Sequence, residues 1–223
     1  RHLHQNMKEC ETRQEVVTIA CTYLKGATKS CPSPLQMRLA DALNEDSRTF
    51  MSEQDWRIMK SFAMISKEGS ADLLLLEQET MLCGILNIDR AISNTTDSLE
   101  ITIAVPTRQQ GRSYSKLLIA VAVLIGYVES FPLLSYPSSP IFLKTILTNF
   151  DAVICLGDKL CPTTREKRMS KTDAENVVQE YDSIRRNHTV QQIGDPIIKI
   201  DNSEANLKYA TTLLVSIPKL WSS

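Results

Sequence analysis

Glycine is scarce in this chain, with seven among 223 residues. A Gly-rich dinucleotide loop needs three glycines within six positions, and neither that run nor G-x-x-x-x-G-K-[ST] occurs. That counts against a Gly-rich dinucleotide or P-loop site, and mildly against catalytic loops built from tight backbone turns. Histidine is rarer still, at three, and none of the six cysteines forms a C-x-x-C pair, so no zinc or other metal site is expected. Neither sign of charge is in excess, at 25 basic against 26 acidic residues, and no general field draws nucleic acid or an anionic membrane. The longest apolar run, Leu117 to Val128, is shorter than the roughly 20 residues that span a bilayer. No secretory leader is visible. Because the chain opens on Arg1, it is expected to be a fragment or a processed product, and that absence decides little.

What is present is a hydrophobic fraction of 43%, enough to bury a core as one large domain or two small ones. Cys21 and Cys83 stand in apolar contexts that suit buried thiols, and a reduced, intracellular protein is expected. Sequons at Asn94 and Asn187 keep secretion open.

The first third reads as helical: an amphipathic helix over residues 4–25 stopped at Gly26, a second over 34–44, and a third over 53–66 opened by the capping pair Ser52 and Asp55. Strands follow at Asp72–Glu77 and Met81–Ile88, joined as a hairpin through Gln78-Glu79-Thr80. The next strand is Leu99–Val105. Beyond a buried helix over 117–128 come a short strand at 133–136, a helix over 140–148 capped by Ser138 or Ser139, and a strand at 152–156. Residues 157–189 read as a polar surface excursion with a helix opened by Thr172 and Glu175. A strand at 197–200 and a helix from Ser203 to Val215 end the chain. The pattern predicts a mixed α/β fold with helices on both faces of a mostly antiparallel or mixed sheet. Its organisation is a helical segment over 1–69, then an α/β domain over 70–223.

Strand 99–105, loop 106–115 and the following helix form one unit, which aims backbone N–H groups beyond the strand's C-terminal end, where anionic ligands bind. The loop reads Pro106-Thr107-Arg108-Gln109-Gln110-Gly111-Arg112-Ser113. It resembles the pyrophosphate loop of GNAT-type N-acetyltransferases: an Arg or Gln, two free positions, Gly, one free position, then Gly or Ala. Arg108, Gly111 and Ser113 take those places, Ser113 as a departure. Val105-Pro106 matches the end of the family's preceding strand, and Leu117-Leu118 match its helix one residue late. The resemblance covers residues 70–157, with the hairpin as the family's second and third strands and 99–105 as its fourth.

It implies acetyl-CoA or another acyl-CoA as cofactor, held by Val105, Arg108, Gln109, Gln110, Gly111, Arg112 and Ser113. Glu100 stands where some members place a carboxylate base, and Tyr114 or Tyr136 would return a proton to the thiolate. The family's usual acidic Tyr falls on Thr145. The strands around 99–105 and 131–136 should splay to admit the pantetheine arm. Two other readings stand beside this one. A non-catalytic α/β module with a decayed site would bind a protein partner. A nucleotide- or phosphate-binding kinase-like domain would use Arg165 and Arg168 as lid arginines before Tyr181 and the last strand. His188, Trp56 and Trp221 are expected to be a solvent-facing and two packing residues.

Overall fold

Leu73, Leu74, Leu75 and Leu76 are consecutive in one strand, so alternation sends them to opposite faces and both faces must be covered. A computed structural model shows how. It describes residues 2–27, 35–40, 43, 45–68, 71–92, 97–136, 139–156, 159–160, 168–187 and 197–221. The helices are α1 (His2–Lys8), α2 (Arg13–Ala27), α3 (Glu53–Glu68), α4 (Tyr114–Val128), α5 (Pro140–Asn149), α6 (Lys171–Asn187) and α7 (Glu204–Leu220). The strands are β1 (Leu35–Ala40), β2 (Asp72–Gln78), β3 (Met81–Ile92), β4 (Asp97–Ala104), β5 (Leu133–Ser135), β6 (Ala152–Leu156), β7 (Lys159–Leu160) and β8 (Ile197–Ile200). They form one sheet in the order β1-β2-β3-β4-β5-β8-β6-β7, antiparallel throughout except for β4 and β5. This is the mixed α/β arrangement expected.

Leu74 and Leu76 face a large core shared with Val17 and Leu24 of α2, Leu118 of α4 and Leu214 of α7. Leu73 and Leu75 face a smaller core with Leu82, Ile85, and Met59 and Ala63 of α3. Each leucine so buried stabilises the fold by about 2 kcal/mol. Helix α4 lacks a polar face because it is enclosed: the sheet lies beneath it and α2 and α7 pack alongside. Gly84 makes that seating close, since a Cβ there would stand 2.8 Å from Leu118 Cδ1. Arg13 ties the N-terminal helices in, with Nε and Nη2 donating to Glu129 at 2.8 and 2.9 Å and Nη1 to Asp72 at 2.8 Å.

Several local expectations are corrected. The helix over 34–44 is the strand β1, in which Leu35 and Met37 are buried while Gln36 and Arg38 are exposed. That period of two, paired antiparallel to β2, outweighs the segment's helix propensity. The helix over 4–25 is two helices. Thr12 and Glu15 form a capping box that starts α2: Glu15 N–H donates to Thr12 Oγ1, and Glu15 Oε2 accepts from the amides of Glu11 and Thr12. The box expected at Thr172 and Glu175 lies two residues earlier, at Ser170 and Asp173, and Glu175 instead accepts from Lys144 at 2.6 Å. The last helix runs to Leu220, five residues beyond the expected end. The stretch 157–189 is not all surface, because Ala174 and Tyr181 of α6 enter the main core. Ser138, Arg165, His188 and the Asn94 sequon's Thr95 and Thr96 lie outside the described residues.

Candidate functional site

Among the described residues, strands β4 and β5 pair from Leu99 opposite Leu133 to Ile101 opposite Ser135. Thr102 to Ala104 pair with Asn87 to Ile85 on β3. Residues 137 and 138, which would continue the β4–β5 register opposite Ile103 and Ala104, lie outside the described residues, and so does the expected splay of the two strands.

The loop is built by local geometry. Pro106 opens a 3-10 turn over 107–109, in which Gln109 N–H donates to Pro106 and Gln110 N–H to Thr107. Those two amides, expected to face a ligand, are thereby used within the chain. Gly111 at φ 83° and Ser113 at φ 64° then take left-handed conformations that redirect the backbone into α4. Ser113 is the N-cap, but its side chain makes no capping bond, and the first α-helical bond is Leu117 N–H to Ser113. Among the described residues, the amides of Gly111, Arg112 and Ser113 and the first-turn amides of Tyr114, Ser115 and Lys116 have no acceptor in the chain. Free N–H groups at the positive end of a 15-residue helix carry the partial positive charge that favours an anion. Any side chain at Gly111 would enter open space, for nothing lies within 4 Å of a Cβ there.

The side chains named from the sequence are divided by the fold. Arg108, Gln110 and Arg112 are exposed around the loop, and Ser113 and Val105 are half-buried. Gln109 is turned inward, 6% exposed, with Nε2 3.0 Å from Met81 Sδ. Tyr114 is buried at the start of α4, its ring 5.4 Å from that of Trp221. Burial, then the neighbouring Cys83, pushes its hydroxyl up to about 12. Tyr136, directly after β5, is 45% exposed. Thr145 donates its hydroxyl to Ile141 within α5. Glu100 is half-buried, and burial followed by the charge of Asp89 directly across on β3 raises its pKa.

Two contacts were not legible beforehand. Asp55, read as half of a capping pair, also accepts from Thr107 at the start of the loop. Trp221 donates its indole N–H to Arg112 carbonyl at 2.9 Å, so the end of α7 braces the loop from behind. Both join residues more than 50 positions apart, which no local pattern encodes. Arg168, assigned to a phosphate lid in the kinase-like reading, lies 4.8 Å over the ring of Tyr209. Among the described residues there is no cluster of three metal-ligating groups, and no helix is long and apolar enough to cross a membrane.

No protein-family model and no curated protein matches this sequence. The solved structures it is similar to include acetyltransferases and a toxin. A tyrosine-to-phenylalanine mutant of the AtaT toxin, bound to the C-terminus of the antitoxin AtaR and acetyl-CoA, is 11% identical over 78% of this chain and 98% of its own, at a TM-score of 0.44. A phosphinothricin N-acetyltransferase structure is 12% identical over 76% and 99%, at 0.41. A GNAT-family acetyltransferase from Streptococcus pneumoniae is 15% identical over 74% and 96%, at 0.34. Likeness this loose carries no argument. What the chain itself shows is a mixed sheet with one parallel pair, β4 with β5, and a loop that leads from β4 into α4.

Proposed function

We propose that this chain is an acyl-CoA-binding domain that moves the acyl group to an amine. The observation that carries the reading is the set of free amides from Gly111 to Lys116, placed just beyond the C-terminal end of β4. Those amides suit a pyrophosphate, and the exposed guanidinium groups of Arg108 and Arg112 add charge at its rim. Acyl-CoA, when bound, supplies a thioester carbon. The amine nitrogen, its proton passing to Glu100, bonds to that carbon as the carbon–sulfur bond breaks. The thiolate then takes a proton. Of the two tyrosines considered, Tyr136 is the better acid by placement, because Tyr114 is buried beneath the loop.

Thermal unfolding with acetyl-CoA or free CoA tests the reading. A ligand at about a hundred times its Kd adds about 2.7 kcal/mol of stability. The wild type should show that rise and Gly111→Glu should lose it, since a carboxylate would then occupy the anion site. The absence of a rise with either ligand would leave a non-catalytic interaction module.

A further inference from the structure

Trp221 closes α7 and is held at two points. Its indole N–H donates to the Arg112 carbonyl at 2.9 Å, and its ring lies 5.4 Å from that of buried Tyr114. That carbonyl belongs to the peptide joining Arg112 to Ser113, which is trans. In a planar trans peptide the carbonyl and the following N–H point in opposite directions. A carbonyl drawn toward Trp221 therefore turns the Ser113 N–H away from the end of α7. This is one of the amides that have no acceptor in the chain among the described residues.

The backbone by itself prefers another orientation. Ser113 holds φ at 64°, a left-handed conformation that strains any residue but glycine. Flipping the 112–113 peptide changes chiefly ψ of Arg112 and φ of Ser113, and it would relieve that strain. It would also put the Arg112 carbonyl where the Ser113 N–H now points. A carbonyl oxygen carries partial negative charge and repels the anion that an amide attracts. Among the described residues no donor other than Trp221 reaches the Arg112 carbonyl, so this one bond opposes the flip. We propose that Trp221 is a positioning residue of the loop: its N–H holds the 112–113 peptide in the orientation that presents an amide, not a carbonyl, to the diphosphate of an acyl-CoA. The proposal rests on the acyl-CoA reading and deepens it, placing control of that site at the end of α7, 109 positions further along the chain.

Titration calorimetry with acetyl-CoA and with inorganic pyrophosphate tests it on the full chain. Trp221→Phe keeps a ring against Tyr114 but has no N–H. It should bind both ligands about fivefold more weakly than wild type, or worse, with circular dichroism reporting a folded chain. Adding Ser113→Gly to Trp221→Phe removes the strain that favours the flip, and should restore affinity to within about twofold of wild type. A merely structural loss at the end of α7 would not be recovered by a glycine in the loop. In wild type, pyrophosphate should move the nuclear magnetic resonance signals of the Ser113 amide and the Trp221 indole N–H together, with one Kd. Equal binding by wild type and Trp221→Phe, no recovery in the double variant, or a Trp221 signal that stays fixed while that of Ser113 moves would overturn the assignment and leave the acyl-CoA reading in place. Pyrophosphate binding without acetyl-CoA binding, with the same variant pattern, would keep the role of Trp221 and remove the acyl-CoA reading. A wild type that binds neither ligand would remove both.

Discussion

Asp55 on α3 holds Thr107 at the entrance of the loop by two bonds, accepting from its hydroxyl at 2.9 Å and from its backbone N–H at 3.2 Å. The same carboxylate closes the N-terminal cap of α3 with Ser52, whose Oγ donates to it at 2.9 Å. One buried side chain thus joins the helix covering one face of the sheet to the loop that starts the helix on the other.

Replacing Asp55 with Ala removes the cap and the loop tether together and should cost about 2–3 kcal/mol, measured by urea unfolding. Burial pushes the Asp55 carboxyl up, but hydrogen bonds from Thr107 and Ser52 outweigh it and hold the pKa below the ordinary 3.8. Its contribution is therefore present above that value and lost as pH falls through the lower folded-state pKa. The gap between wild type and Asp55→Ala should narrow only at strongly acidic pH. A gap constant down to pH 2 would remove the carboxylate from the account.

Glu100 behaves with the opposite sign. Its folded-state pKa lies above 4.5 because of burial and Asp89, so the folded form is favoured while the group is protonated. That advantage is complete below 4.5 and disappears as pH rises through the folded-state value. Glu100→Gln should consequently be more stable than wild type at pH 7, by on the order of 0.5 kcal/mol for relief of a cross-strand like-charge pair. The gain should vanish near pH 4. The same variant should lower kcat if the carboxylate takes the amine's proton, so a rise in stability with a fall in turnover is the combined expectation.

Ser130 ends α4 in a left-handed conformation at φ 61°. Its N–H donates to Tyr127 and that of Phe131 to Gly126, the paired bonds of a helix stop in which glycine is the usual residue. Ser130→Gly should stabilise the chain by about 1 kcal/mol, read as a higher urea midpoint at unchanged slope. A neutral or destabilising result would mean that the Ser130 side chain contributes more than its backbone strain costs.

Sequence patterns with a short range were readable. Ser52 and Asp55 marked the start of α3, Glu79-Thr80 the hairpin turn, Ser139 the start of α5, and the apolar run from Leu117 the buried helix. The Thr12–Glu15 box is equally local, but the apolar spacing around it continues a single helical stripe that hides the break. The candidate loop was visible as Arg108, Gly111 and Ser113, while the use of the Gln109 and Gln110 amides in a 3-10 turn was not.

By itself the sequence determined that the chain builds a mixed α/β core, that its one wholly apolar helix is central, and where most elements begin, since caps, turns and periodicity act over three or four residues. The tertiary structure alone decided that residues 35–40 are a strand, because their propensity yields to pairing with β2. It alone set Trp221 behind Arg112, Asp55 on Thr107 and Asp89 opposite Glu100, and turned Tyr114 inward. Those relations depend on register and on helix packing across the sheet, which join residues far apart in the chain.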